Sequence, residues 1–455
     1  MPNHQKSPRV LLVNPWITDF AAFDLWAKPI GLLMLGALLR DGGYRVEYVD
    51  CLDRFDQLEG SHQNRQLSPT FQKFGVGKYA KTPIPTPSPI NDIPRRYYRY
   101  GIHPDRLREK LTSLEKPDMV WVTTSMTYWY PGVQETIRII KEVFSGVEIW
   151  LGGLYARLCS EHAIRYSGAH RVFDGTFEQV FWALPKRPSN PEAWKDFANT
   201  PAPAWDLVKD ISYVPILTSL GCPFGCPYCA TSFLQPRMQQ RNPDTLFREI
   251  SYWQKERGVE DFAFYDDALL VGAQNRIVPL LKLVQRSGLN VRFHTPNAVH
   301  IRSLTPDVCN LMHETGFTRL RLGLETTRKE HMEEWGSKVF MNDFYSAVDN
   351  LKSAGFRSEQ IGVYLLCGLP GQSTEEVAKS IRQVSAAGVR PYLCEYSPIP
   401  HTRTFEGLDT RLRQRLIDEP LLHNNSYFAC RRDDFTYDDL VELKKLSRTS
   451  RQDTP

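Results

Sequence analysis

The sequence predicts an α/β protein with two successive runs of strand–helix alternation: a doubly wound parallel sheet, then a partial six-stranded (β/α) barrel. Three observations carry this. Short apolar runs without polar alternation recur along the first third, as strands buried on both faces of a parallel sheet require. Helical segments separate them, closed by Gly42-Gly43 and similar breaks. From Val214 the alternation restarts and gives six further strands with five helices between them.

The chain has 455 residues, 42% of them hydrophobic and 24% charged, enough for two or three cores. A formal charge of +4 without a dominant lysine/arginine block gives no footprint for nucleic acid. The longest apolar run, 30–39, is too short to cross a bilayer, and residues 1–10 are too polar for a secretory signal. Nine cysteines, an odd number without framework spacing, suit a reducing compartment. The expectation is a cytoplasmic protein with neither nucleic-acid nor membrane partners.

In the first run, strands are expected at 9–15, 44–50, 118–124, 147–151 and 171–174, with helices at 29–40, 133–144, 159–166 and 178–184. This is a Rossmann-like arrangement, which binds ligands at the carboxyl ends of its strands. Those ends carry Thr123-Thr124-Ser125, Gly152-Gly153 and Gly175-Thr176, small residues that let a ligand approach the backbone or simply make tight turns. An insertion, 52–116, holds the basic and aromatic stretch Arg95-Arg96-Tyr97-Tyr98-Arg99-Tyr100. It reads as a solvated surface segment rather than a ligand contact. The expected domains are 1–185, a proline-rich linker at 186–212, the barrel at 213–410 and a helical tail at 411–455.

The first barrel strand, 214–219, feeds Gly221-Cys222-Pro223-Phe224-Gly225-Cys226-Pro227-Tyr228-Cys229. Glycine and proline keep this loop irregular, and the C-x3-C-x2-C spacing lets three thiolates converge. The next cysteine is Cys309, eighty residues on. An iron–sulfur cluster normally takes four thiolates, so a cluster held here keeps one iron open. The alternative is a structural zinc site completed by a distant His or Cys.

The motif, with Tyr228 before its last cysteine, resembles the signature of the radical S-adenosylmethionine (radical SAM) enzymes. The resemblance implies a 4Fe-4S cluster on Cys222, Cys226 and Cys229, whose open iron is chelated by S-adenosylmethionine and whose electron yields a 5'-deoxyadenosyl radical. It also implies a reducing donor such as flavodoxin or ferredoxin, and a small-molecule substrate. The first domain resembles the cobalamin-binding domain fused ahead of many such enzymes, with Asn14-Pro15, Asp50, Ser125, Gly152, Gly153 and Gly175 at its recurrent positions. The D-x-H-x-x-G element that gives cobalt a histidine elsewhere is absent, so cobalamin would bind without one, or the domain is a scaffold. The methylthiotransferase branch brings three further cysteines in its first domain, whereas this one has only Cys51 and Cys159.

The remaining strand ends supply the other candidates. Asp266 and Asp267 follow the second strand and suit an ammonium group or a helix cap. Asn297 and Arg302 follow the third, as does His300, read as an ordinary surface histidine. Glu325 closes the fourth, apolar strand; the family's G-x-E-[ST] glutamate lies beside S-adenosylmethionine. Gly368 and Pro370 belong to a turn resembling the family's G-x-P-G on the adenine side. After the sixth strand, Ser397-Pro398-Ile399-Pro400-His401-Thr402 resembles P-x-P-G-T with His401 in place of glycine, expected to narrow the cavity or set a titratable group at its mouth. Cys309, Cys367 and Cys394 read as core.

The leading reading is a radical SAM enzyme performing cobalamin-dependent methyl transfer to an unreactive carbon. The alternatives are radical cyclisation or rearrangement without cobalamin, and a non-catalytic, metal-stabilised binding module.

Overall fold

A computed structural model describes residues 7–56, 68–335 and 339–452. Residues 57–67 of the insertion and the last three of the tail lie outside the described residues. The chain forms two compact units, 1–211 with 410–427, and 212–409 with 428–455.

In the first unit the strands are β1 (Arg9–Asn14), β2 (Arg45–Asp50), β3 (Met119–Val122), β4 (Glu148–Leu151) and β5 (Arg171–Val172). Their order is β5-β4-β3-β1-β2, all parallel. Helices α1 (Ile30–Asp41), α2 (Tyr130–Val143) and α3 (Phe177–Ala183) make crossovers. β1 is wholly buried, which explains its unbroken apolar run.

Two expectations change here. The stretch from Arg95 to Tyr100 is not a solvated surface segment. Ile17–Asp19 pairs antiparallel with Tyr98–Tyr100, which pairs with Lys81–Pro83. Tyr97 is buried and donates its hydroxyl to the Thr18 carbonyl at 2.9 Å. The 186–212 stretch is not a free linker: it carries Trp194 and Trp205, both buried in the first unit. Two large apolar side chains hold a proline-rich segment that has little regular structure of its own.

In the second unit β6 (Val214–Ile216), β7 (Asp261–Phe264), β8 (Arg292–His294), β9 (Phe317–Glu325), β10 (Ile361–Cys367) and β11 (Arg390–Glu395) lie in sequence order, all parallel. The crossover helices are α4 (Pro243–Arg257), α5 (Ile277–Ser287), α6 (Pro306–Glu314), α7 (Met341–Ser353) and α8 (Thr374–Ala386). Asn242 caps α4 through Asp244 N–H at 2.8 Å, and Gly258 ends it at φ +68°, as a left-handed cap requires. Among the described residues β6 and β11 do not pair with each other, so the barrel stays open.

The expected tail is divided. Residues 410–427 pack on the first unit, where Asn424 donates to Asp19 at 2.9 Å. Helix α9 (Tyr437–Gln452) docks on β11 of the second, through Lys444–Glu395 at 2.6 Å and Ser447 to the Pro391 carbonyl at 3.1 Å.

Candidate active site at the carboxyl ends of the barrel strands

β6 and β7 lie side by side, so the chain leaving β6 passes the end of β7. There the buried Asp266 carboxylate accepts from Thr218 N–H at 3.1 Å and from the Thr218 and Ser219 hydroxyls at 2.5 and 2.6 Å. Ser219–Leu220 then pairs antiparallel with Gln239–Gln240. Gly221 turns the chain at φ +82°, where a Cβ would stand 2.9 Å from the Arg237 carbonyl. The far side of the loop is tied to the turn after β11: Thr404 N–H donates to the Pro227 carbonyl at 2.9 Å and Arg403 to the Gly225 carbonyl.

Between these anchors Cys222, Cys226 and Cys229 are half-buried, and none is in a disulfide. All three line one cavity of about 300 Å³. Burial pushes the Cys222 thiol up, and the neighbouring Cys226 and Cys229 charges push it the same way. Three thiolates held together repel one another unless a cation joins them, so the donor set fits a metal centre. Among the described residues no three His, Cys, Asp or Glu side chains converge as tightly as a single ion demands. The thiols share a cavity rather than a point, which suits a body wider than one zinc ion.

Asp267, Asn297 and Glu325 line the same cavity with Tyr228. Asn297 donates its amide to the Tyr265 carbonyl at 2.8 Å, leaving its own carbonyl oxygen for a ligand. Glu325 sits where β9 bulges, at φ +69°, a conformation that costs a non-glycine residue about 1–2 kcal/mol. Behind it the Thr326 hydroxyl donates to Glu376 at 2.8 Å, and His331 contacts the same carboxylate at 2.8 Å. The buried Tyr228 hydroxyl is pushed up by burial, then by the Glu325 charge. Its ring meets the Trp335 edge at 5.9 Å and 83°.

Four candidates are elsewhere. Asp266 is spent on the loop anchor. Arg302 pairs with Asp343 at 2.9 Å and does not line the cavity. Gly368, at φ +89°, leaves room for Phe428, whose Cε2 a Cβ would meet at 2.2 Å. Pro370 is exposed in the same turn and also stands off the cavity. His401 does not narrow it either, and stacks on Phe233 at 4.0 Å. Conversely His300, set aside as a surface residue, lines the cavity stacked on Phe224 at 4.4 Å and 10°. Gly323 and Tyr364 were also missed; their two-residue spacing along β9 and β10 from other inward positions was the available signal.

In the first unit, Asn14 and Asp50 are buried and joined at 2.8 Å, so they serve the sheet rather than a ligand. Trp16 fills the space beyond β1, its indole donating to the Ile102 carbonyl at 2.8 Å. Ser125 and Met126 are exposed beyond β3. Next to them Gly152 is half-exposed with nothing within 4 Å of its Cβ position, and Gly153 presses on the Thr124 backbone at 2.4 Å. Gly175 is covered by the Gln179 side chain. The open part of the sheet edge is therefore a ledge at β3 and β4, and its flatness fits a large planar group.

Residues 216–384 match the profile of the radical SAM superfamily. An uncharacterized methyltransferase of Pyrococcus horikoshii is 22% identical over 324 residues, 64% of this chain and 69% of its own length. A tRNA-2-methylthio-N(6)-dimethylallyladenosine synthase of Corynebacterium glutamicum is 22% identical over 63% of this chain, which spans only 58% of that protein. Among solved structures, the radical SAM methyltransferase TsrM of Kitasatospora setae superposes with a TM-score of 0.62 at 16% identity, over 88% of this chain and 75% of its own. The cobalamin-dependent radical SAM enzyme OxsB gives 0.56 at 13%, over 93% and 56%. Among the described residues no helix is long and apolar enough to cross a membrane. With its three-cysteine loop and open barrel matching that profile, the chain is a radical SAM enzyme, carrying the superfamily's domain at 216–384.

Proposed function

We propose that this enzyme holds a 4Fe-4S cluster on Cys222, Cys226 and Cys229, binds S-adenosylmethionine in the adjoining cavity and cobalamin on the first unit, and methylates an unreactive carbon of a small molecule. The observation that carries this reading is the cavity itself: three thiols from one loop share it with Glu325, Asp267 and Asn297. When bound, the cluster supplies the electron that splits S-adenosylmethionine, and cobalamin supplies a transferable methyl group.

The chain's own residues bind, orient and exclude water. The Glu325 and Asp267 carboxylates offer acceptors to an ammonium group, and the Asn297 carbonyl oxygen to a hydroxyl. Phe224, His300 and Tyr228 give the cavity apolar walls that limit solvent around a reactive species. The ledge of Ser125, Gly152 and Gly153 is the surface for the corrin ring. An external one-electron donor such as flavodoxin or ferredoxin is the partner this reaction requires.

Trp16, filling the space beyond β1, favours a second reading in which the first unit is a scaffold and the radical drives cyclisation or rearrangement. Reconstitution with excess hydroxocobalamin separates the two. Corrinoid retained at about one per chain, with label passing from methyl-labelled S-adenosylmethionine into a product, supports methyl transfer; a chain recovered free of corrinoid excludes it.

A further inference from the structure

Along β9, Leu320, Leu322 and Leu324 are buried on one face, while Arg319, Arg321, Gly323 and Glu325 alternate on the other. Gly323 and Glu325 line the cavity, so Arg321 stands one pleat below it, about 6.6 Å along the strand. On β10, Gly362 pairs with Arg321, and a Cβ on it would lie 2.8 Å from both the Arg321 guanidinium and the Tyr392 ring. The missing side chain lets Arg321 lie over the Tyr392 ring, 4.5 Å from its centroid. Tyr364, two residues beyond Gly362, reaches the cavity wall, where its hydroxyl donates to the Pro296 carbonyl at 3.0 Å. Its ring meets Tyr392 edge-on at 6.4 Å and 87°.

The charge on this face is one-sided. Arg319 is held below the ordinary arginine range by burial and then by Arg321 beside it. The acid on the neighbouring strand, Asp261, is engaged by Arg292 at 2.9 and 2.7 Å and by His294 at 2.8 Å. Arg321 donates to the Leu320 carbonyl at 2.9 Å, which leaves its charge unneutralised.

We propose that Arg321 and Arg319, with the Tyr364 and Tyr392 rings, form the subsite that recognises the substrate, and that this substrate is a planar molecule bearing a carboxylate. A guanidinium fork matches a flat two-oxygen anion, and two tyrosines at right angles give a flat ring one face and one edge to pack on. The subsite opens directly into the cavity through Tyr364, so a bound ring projects toward the cluster loop. This rests on the enzymatic reading of that cavity and adds the substrate class to it.

The test is equilibrium binding of naphthalene-2-carboxylate and of its uncharged carboxamide to the cluster-loaded chain with S-adenosylmethionine present. The carboxylate is expected to bind about ten-fold more tightly, the worth of a charge-assisted contact. In Arg321→Gln that preference falls below about two-fold. In Tyr392→Leu both probes weaken alike and the preference survives. Should Arg321→Gln fail to fold, Arg319→Gln replaces it, with the preference again reduced. Equal binding of the two probes, binding of neither, or a preference unchanged in the arginine variants overturns the proposal. 5'-Deoxyadenosine formation is followed on the same preparations. If it persists without a charge preference, only the subsite fails; a chain that takes up no cluster overturns the reading beneath it.

Discussion

The Thr404 N–H donates to the Pro227 carbonyl at 2.9 Å, fastening the turn after the last barrel strand to the loop that carries the three cysteines. Arg403 makes the parallel contact to Gly225. The loop is thus clasped at its outer side by a segment more than 170 residues away in sequence. Arg403→Ala is expected to speed iron loss to a chelator several-fold while lowering unfolding stability by no more than about 1 kcal/mol. An unchanged rate of iron loss would show that the clasp does not hold the centre.

The inner anchor behaves differently, because it is buried. Asp266→Ala strands the Thr218 and Ser219 hydroxyls and removes the acid 4.0 Å from the fully buried Arg276. Losing one member of such a buried set costs about 3–5 kcal/mol. Asp267→Ala, on the cavity side, should cost well under 1 kcal/mol and weaken S-adenosylmethionine binding instead. Urea unfolding of both variants, with ligand titration of the second, checks the division of labour between adjacent aspartates.

Glu325 separates stability from function in a single residue. Its backbone is at φ +69°, so Glu325→Gly relieves strain and should raise stability by up to about 1 kcal/mol. The same change removes a cavity carboxylate and should weaken S-adenosylmethionine binding about ten-fold or more, as loss of a charge-assisted bond does. A variant more stable than the parent that binds the ligand equally well would remove Glu325 from the site.

His423 gives the first unit a pH-dependent stability. It is buried, its ring joined to the Thr127 hydroxyl at 2.9 Å and to the Leu416 carbonyl at 2.9 Å, and burial pushes its pKa down to about 4. The unfolded chain therefore takes up a proton between pH 6.5 and 4 that the folded chain refuses. Stability is full above that window and falls by roughly 3 kcal/mol as pH drops through it. Denaturation curves at pH 7.5 and 5 should show the loss, and His423→Gln, though less stable at pH 7.5, should show a smaller slope with pH.

The two glycines at the β4 end separate a surface role from a backbone one. Gly153→Ala, at φ +89° and 2.4 Å from the Thr124 carbonyl, should destabilise the first unit by at least about 1 kcal/mol. Gly152→Leu has open space before it and should leave stability within about 0.5 kcal/mol. If corrinoid lies on this ledge, Gly152→Leu abolishes its uptake; undiminished uptake moves the cofactor elsewhere or removes it.

Much of this was legible in the sequence because the signals were local. The twelve barrel and sheet strands' worth of apolar runs, broken by glycine and proline, marked the elements to within a few residues, and the cysteine spacing marked its loop. What was hidden depended on distant partners or on strand pleat. Nothing near Arg302 announces Asp343, and nothing near Gly368 announces Phe428. Asp266 and Asp267 are neighbours of identical chemistry, and only the turn at the end of β7 decides that one faces the core and the other the cavity. Tyr97 and Tyr100 looked solvated until Ile17–Asp19 supplied the strand that buries them.

The most direct measurement is electron paramagnetic resonance of the anaerobically reconstituted, dithionite-reduced chain before and after addition of S-adenosylmethionine. A three-thiolate cluster with an open iron predicts a reduced 4Fe-4S signal that changes on addition, with 5'-deoxyadenosine released, and that is missing in Cys226→Ala. A cluster signal indifferent to S-adenosylmethionine, or a centre holding zinc alone, would contradict it.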